Sequence, residues 1–210
     1  MQGFIITGTD TDIGKTVVAA MLTLVLEGVY FKPIQSGTAA ETDAQAVLRM
    51  TGLPKDRALP SAVTLSQPLS PHRAAELDGV KIDPDDLKLP PAKHPLIVEG
   101  AGGLLVPVTR TVLQADLFKT WNFPLILCAR TGLGTINHTL LSLEAARARK
   151  LDVLGVVFVG DDNPDTIRTI AEMGKIKVLG RLPMLDTINA DSLASIFSQH
   201  FNREDFGVCL

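Results

Sequence analysis

Cysteine is scarce in this chain: there are two, Cys128 inside an apolar run and Cys209 in the tail. They read as a core thiol and a surface thiol, the usage expected of a cytosolic protein, and not as a disulfide framework. No His/Cys cluster has the spacing of a zinc site, and nothing resembles a Ser-His-Asp set. A large excess of charge of either sign is also missing. The net charge is -3, which gives no electrostatic case for nucleic acid as a partner. No apolar run approaches the roughly 20 residues that span a bilayer. The first strand is expected to start at Phe4, leaving no room for a signal peptide. Low-complexity stretches, internal repeats and linkers are absent as well. At 210 residues the expectation is one α/β domain, residues 1–210, in the cytoplasm and away from membranes and nucleic acid.

What is present starts at the front of the chain. Phe4-Ile5-Ile6-Thr7-Gly8-Thr9-Asp10-Thr11-Asp12-Ile13-Gly14-Lys15-Thr16 runs from an apolar strand through a Gly/Thr-rich turn into a helix. This is the layout of a phosphate-binding loop, in which turn N–H groups and the helix dipole surround a polyphosphate. In such a loop Lys15 reaches the β- and γ-phosphates and the Thr16 hydroxyl ligates Mg²⁺. The spacing is a variant. The usual pattern puts its first glycine at position 9, which is Thr9, while Gly8 sits one place earlier. An ordinary strand–turn–helix with a chance Gly-Lys-Thr is the plain alternative, and the position at the first strand–helix junction argues against it.

Apolar runs alternate with stretches of helical period along the rest of the chain. Strands are expected at Phe4–Thr7, Val29–Phe31, Leu96–Val98, Leu125–Cys128, Val153–Val159 and Val178–Leu182. Helices are expected at Gly14–Glu27, Thr42–Met50, Gln114–Trp121, Thr135–Lys150, Pro164–Met173 and Ala190–Phe201. Several strands are continuously apolar, as strands covered on both faces are. The fold class is therefore α/β: a doubly wound, mainly parallel sheet with helices on both faces. The proline-rich stretch Thr51–Pro95 has no clear period and reads as an excursion carrying short helices.

In such a sheet chemistry collects at the C-terminal strand ends. The second strand ends in Lys32-Pro33-Ile34-Gln35-Ser36-Gly37, which puts a lysine where it can face a bound anion; alone it would read as a solvated strand-end lysine. Asp43 opens a helix and reads either as its cap or as a metal ligand. Glu99 ends a Leu-Ile-Val strand, where an ionised carboxylate needs a cationic partner. Thr16, Asp43 and Glu99 together would form an oxygen-only Mg²⁺ shell completed by phosphate and water. Glycines after Glu99 would allow close backbone approach to a ligand. The Gly132–Asn137 turn offers a second helix N-terminus suited to a carboxylate, and His138 beyond it reads as packed.

Gly8–Thr16, Lys32–Gly37, Val98–Pro107 and Gly132–His138 together resemble the dethiobiotin synthetase family, in that family's order and across most of the chain. The Thr-Asp-Thr form of the loop also accounts for the displaced glycine. The resemblance implies a P-loop NTPase fold and an ATP-dependent carboxylation and ring closure of 7,8-diaminopelargonic acid with CO₂ to dethiobiotin, in biotin biosynthesis. It implies Mg²⁺, ATP or another nucleoside triphosphate as co-substrate, and a homodimer with active sites at the subunit interface. Residue by residue, it implies catalytic roles for Lys32, Lys15 and Thr11. Nucleotide contacts fall to Asp12, Ile13, Gly14, Lys15, Thr16, Val17, Asp43, Glu99, Gly100, Ala101 and Gly102. Pro183, Met184 and Leu185 fall near the base. Ser36, Thr11, Lys32 and Asn137 match substrate contacts, the last on the segment that reaches the other subunit's substrate tail, and Thr16, Asp43 and Glu99 match metal ligands. Ser66–His72 falls near the substrate.

The chain departs from that family in two places. The loop between Ser36 and Asp43 is shorter. Family members often carry Asn-Asp after the Val153–Val159 strand, the asparagine reading adenine, where this chain has Gly160-Asp161-Asp162-Asn163. A rival reading is a nucleotide switch of the partition or cell-division ATPase type, but those proteins carry an extra lysine where this loop has Asp10-Thr11-Asp12. A related amidase or ligase of cobalamin synthesis would need a glutaminase domain for which 210 residues leave no space.

Overall fold

A computed structural model describes residues 3–207; Cys209 lies outside them. The apolar run at the front forms β1 (Gly3–Gly8), every residue of which is buried. It is followed by α1 (Lys15–Val25), β2 (Val29–Phe31), β3 (Ile34–Ser36), α2 (Asp43–Thr51), β4 (Ala58–Leu59), β5 (Val63–Leu65) and α3 (Pro71–Asp78). The second half adds β6 (Leu96–Gly103), α4 (Gln114–Trp121), β7 (Leu125–Arg130), α5 (Thr135–Ala148), β8 (Val153–Val159), α6 (Pro164–Gly174), β9 (Val178–Leu182) and α7 (Ala190–His200). The main sheet has seven strands in the order β4-β2-β6-β1-β7-β8-β9. Its pairings are parallel.

Strand alternation sorts the apolar residues onto two faces. Phe4, Ile6, Tyr30, Ile97, Ile126 and Cys128 pack with residues of α1, α2 and α7. Ile5, Leu96, Val98, Leu125, Leu127 and Ala129 pack with residues of α4, α5 and α6. Both faces are therefore dry, which is why these strands read as unbroken apolar runs. Each fully buried Ile, Leu or Phe contributes on the order of 2 kcal/mol.

Two expectations are corrected. The strand expected to end at Val98 runs on to Gly103, so Glu99 and the glycines after it belong to β6; its register with β1 shifts between Ile6 and Gly8, where Gly8 comes opposite Gly103. The close pairing leaves only about 3.0 Å between a Cβ at Gly103 and the Gly8 carbonyl, so the glycine admits the neighbouring strand. The Thr51–Pro95 stretch does carry the short helix α3, but also β4, which forms the edge of the main sheet, and β5, which pairs in parallel with the unanticipated β3. Pro33, with no N–H to give, separates β2 from β3.

Candidate active site

The turn between β1 and α1 holds a left-handed Asp12 (φ 52) and a left-handed Gly14 (φ 90) that opens the helix. A Cβ on Gly14 would lie 2.9 Å from Val159 Cγ1, so glycine is required there by both backbone and space. Helices α2, α6 and α7 are closed by the side chains of Thr42, Asn163 and Asn189, whereas α1 opens on Gly14 with no side-chain cap. Its first-turn N–H groups are thus left for an anion. Arg130, at the end of β7, donates to the carbonyls of Thr11 (3.1 Å) and Asp12 (3.2 Å). In a trans peptide the N–H points opposite its carbonyl, so Arg130 turns the amides of Asp12 and Ile13 away from itself. Lys15, almost fully buried, donates to the Asp10 carbonyl at 2.8 Å. Burial pulls its ammonium below the usual 10.5 even with Glu99 nearby.

Beside this loop two acidic side chains converge on one hydroxyl. Thr16 Oγ1 lies 2.9 Å from Asp43 Oδ1 and 3.0 Å from Glu99 Oε1. A hydroxyl has one proton and cannot satisfy both acceptors at once. The cluster is therefore short of one donor at the hydroxyl, and its oxygen ligands suit a small, hard divalent cation. Among the described residues no group of three or more His, Cys, Asp or Glu gathers; a cation here would complete its shell with water and phosphate oxygens. Lys32 Nζ reaches Asp43 Oδ2 at 2.5 Å and Glu99 Oε1 at 3.1 Å. Burial alone would lower the Lys32 pKa, but Glu99 and Asp43 outweigh it and raise it above the usual lysine value. Asp43 moves the opposite way: burial opposes the charge, the Lys32 ammonium prevails, and the carboxyl is held below its ordinary 3.8.

A cavity of about 690 Å³ opens over these groups. It is lined by Thr11, Asp12, Ile13, Gly14, Lys15, Thr16 and Val17 from the loop, by Lys32, Ser36, Asp43 and Glu99, and by Ala101 and Gly102. Pro68, Leu69, Ser70 and Pro71 close it from the excursion, where Ser66–His72 was expected near the substrate. The Ser36 hydroxyl is buried with no hydrogen-bond partner.

Some expected residues lie elsewhere. Gly100 does not line the cavity; a Cβ there would meet Phe118 Cζ at 2.6 Å, so its glycine makes room for α4. Pro183, Met184 and Leu185 follow β9 outside this cavity. Asn137 and His138 are exposed in the first turn of α5, so His138 is not packed as expected. His138 instead lines a second groove with Thr9, Thr11, Leu105 and Leu141. The cap of α2 is Thr42, and Asp43 is the first helical residue, free to turn inward.

Sequence reasoning missed Tyr30, Gln35 and Arg130. The Tyr30 hydroxyl donates to Glu99 Oε2 at 2.8 Å, and burial and the Glu99 charge push its pKa well up, keeping it a neutral donor. Gln35 accepts from the Asp43 N–H (3.2 Å) and donates to the Ser36 carbonyl (3.1 Å), tying α2 to β3. The signal for Tyr30 was its place two residues before Lys32, on the same strand face.

A family model described as an AAA domain matches residues 2–192. Among solved structures, a ParA family ATPase from Chlorobium tepidum TLS superposes with TM-score 0.57 at 13% identity, covering 93% of this chain and 90% of that one. The MinC:MinD cell division complex of Aquifex aeolicus gives 0.53 at 10%, covering 93% and 86%. At such identities these describe the fold alone, and the switch-ATPase reading has no further support. Sequence relatives are far nearer. An ATP-dependent dethiobiotin synthetase BioD of Rhodopseudomonas palustris (strain HaA2) is 56% identical over 202 residues, 96% of this chain and 95% of that protein. The protein of the same name from Agrobacterium fabrum is 55% identical over 203 residues, 97% and 96% of the two chains. With a glycine-opened phosphate loop, a paired acidic centre and this identity over nearly the whole length, the chain belongs to the family of ATP-dependent dethiobiotin synthetases.

Proposed function

We propose that the chain joins CO₂ to 7,8-diaminopelargonic acid and closes the urea ring of dethiobiotin at the expense of ATP, with Mg²⁺ held by Thr16, Asp43 and Glu99. The observation that carries this reading is the convergence of Thr16 and Lys32 on the Asp43–Glu99 pair beside an uncapped helix N-terminus. When bound, Mg²⁺ supplies charge neutralisation for the transferring phosphoryl group.

The reaction needs three bond changes. One amine attacks CO₂ and loses a proton, giving a carbamate. A carbamate oxygen then displaces ADP from the γ-phosphorus. The second amine attacks the carbamoyl carbon, loses a proton and expels phosphate by breaking the C–O bond as the ring closes. Negative charge accumulates on the carbamate and the phosphoryl oxygens throughout. Lys15 swings from the Asp10 carbonyl to the phosphates, and the amides of the loop with the N-terminus of α1 hold them. Lys32 stays protonated, because its acidic neighbours hold its pKa up, and serves as a fixed positive charge for the carbamate. The unpartnered Ser36 hydroxyl and Thr11 line the same cavity and bind the diamine. Pro68–Pro71 wall the cavity on the side facing the diamine residues.

The active unit is a homodimer in this reading. Its support is a groove of about 490 Å³ ringed by exposed Leu105 and Leu141, with Leu133 fully exposed near Asn137. Asn137 would then serve the partner's substrate tail. We place the enzyme in the cytoplasm, consistent with a free buried Cys128 and with no described helix being long and apolar enough to cross a membrane.

The test is phosphate release with ATP, Mg²⁺ and bicarbonate, with and without the diamine. Release that depends on the diamine supports the reading. A folded, nucleotide-binding protein that ignores the diamine overturns it.

A further inference from the structure

Tyr30 is the single tyrosine of the chain and is fully buried. It stands in register with Ile97 of β6. Alternation puts Glu99, two residues on, on the same face as Ile97, which is the face shared with α1 and α2. The phenol therefore points along the sheet toward the acidic centre and meets Glu99 Oε2. Thr16 and Lys32 both address the other oxygen, Oε1. Each carboxylate oxygen is thus committed to a different side.

The terminal torsion of a glutamate is broad, so chain packing alone does not choose which oxygen faces a ligand. A hydroxyl in this apolar face would be costly without a partner, and a phenylalanine would fill the same space. The ring surroundings explain an aromatic residue here; only Glu99 explains the hydroxyl. Residues that hold ligating carboxylates in this way tune metal affinity without touching the metal.

We propose that Tyr30 is a positioning residue: its hydroxyl fixes the Glu99 carboxylate so that Oε1 alone is offered to a Mg²⁺–nucleotide complex beside Thr16 and Asp43. This rests on the reading of Glu99 as a metal ligand. Loss of the hydroxyl leaves the nucleotide's contacts with the phosphate loop intact and weakens only the metal-dependent part of binding.

The experiment titrates Mg²⁺ against the full-length protein and a non-hydrolysable β,γ-methylene ATP by calorimetry, without diamine, for wild type, Tyr30→Phe and Glu99→Gln. Tyr30→Phe is expected to lower apparent Mg²⁺ affinity about 10-fold, the lower end for such supporting residues. Binding of the analogue without metal should stay at the wild-type value. If Glu99→Gln loses the Mg²⁺ dependence while Tyr30→Phe keeps it in full, the positioning role is overturned and the metal reading stands. If Glu99→Gln itself behaves as wild type, the metal reading fails and takes the Tyr30 role with it. Should Tyr30→Phe not fold, wild-type sequence grown with 3-fluorotyrosine gives one ¹⁹F resonance, because there is one tyrosine. That resonance is expected to move on adding Mg²⁺ to the analogue-bound protein; an unmoved resonance at saturating Mg²⁺ overturns the proposal.

Discussion

The Lys32 ammonium lies 2.5 Å from Asp43 Oδ2, and the same nitrogen reaches Glu99 at 3.1 Å. A cation buried this deeply offsets its desolvation only through such partners. It also keeps a fixed positive charge at the mouth of the phosphate loop. Lys32→Ala is expected to lower turnover roughly 10²-fold or more, the scale for losing one preorganised charge. Steady-state phosphate release on protein of unchanged circular dichroism checks this; near-normal turnover would remove Lys32 from the mechanism.

The same triad makes a pH prediction. A carboxyl held low in the fold, as Asp43 is, contributes stability above its ordinary 3.8 and loses it as pH falls through the lower folded value. Asp43 therefore contributes no pH dependence between pH 5 and 8 in the wild type. In Lys32→Met, Asp43 keeps Glu99 as a neighbour across Thr16 but loses its cation, and its pKa rises. The stability that Asp43 loses as pH falls through 3.8 is therefore smaller in the variant. In metal-free buffer the urea midpoint should fall less between pH 5 and pH 3 in Lys32→Met than in wild type, because the variant's Asp43 has less charge-dependent stability to lose. Parallel profiles for variant and wild type would contradict the coupling.

Arg130 turns loop amides by holding the Thr11 and Asp12 carbonyls. Its side chain is exposed, and solvent screening discounts the two bonds to about 1.4 kcal/mol together, below the roughly 1.5–3 kcal/mol of a single full-strength bond from a charged donor. Arg130→Ala should weaken nucleotide binding about tenfold. The diamine KM at saturating ATP should change little. An unaltered nucleotide Kd would show that the loop holds its shape without the arginine.

Gly160 sits at φ 128, and a Cβ there would lie 2.6 Å from Thr131 Oγ1. Asn163 is not free to replace a base-reading side chain, since it caps α6 by accepting from Thr166 and donates to the Thr131 carbonyl. Gly160→Asn is therefore expected to cost about 1–3 kcal/mol of stability, not to confer adenine preference. At about 2–4 °C per kcal/mol for a chain of this size, the loss is visible in a thermal melt. Wild-type turnover with ATP, CTP and GTP should agree within about tenfold, since no side chain from Gly160 reads the base.

Much of this fold lay open in the sequence because each long strand is buried on both faces and each long helix has a periodic face. The phosphate loop was legible for a local reason: Gly14, Lys15 and Thr16 do their work within a few residues of one another. Lys32, Asp43 and Glu99 were found because charged residues at the ends of apolar strands and at helix starts stand out. Strands β3, β4 and β5 were not: β2 is as short but is the wholly apolar run Val29-Tyr30-Phe31, whereas these sit among prolines and polar residues and their pairing depends on distant partners. Tyr30 and Gln35 were missed for a different reason. Neither is unusual where it stands, and their value comes from Glu99 and Asp43, which are 69 and 8 residues away.

Because β6 continues past Glu99 to Gly103 and pairs with β1 at Glu99 and again at Gly103, this carboxylate is anchored in the main sheet. Its counterpart Asp43 opens α2, which packs into the core through Val47 and Met50 and is reached from β3 by the short stretch after Gly37 and the Gln35 tether. The site thus has one jaw inside a strand and one at the start of a helix that a loop leads into. Evolution or an engineer wishing to admit a bulkier substrate would adjust the span between Gly37 and Thr42, where residues can be added without disturbing a single strand.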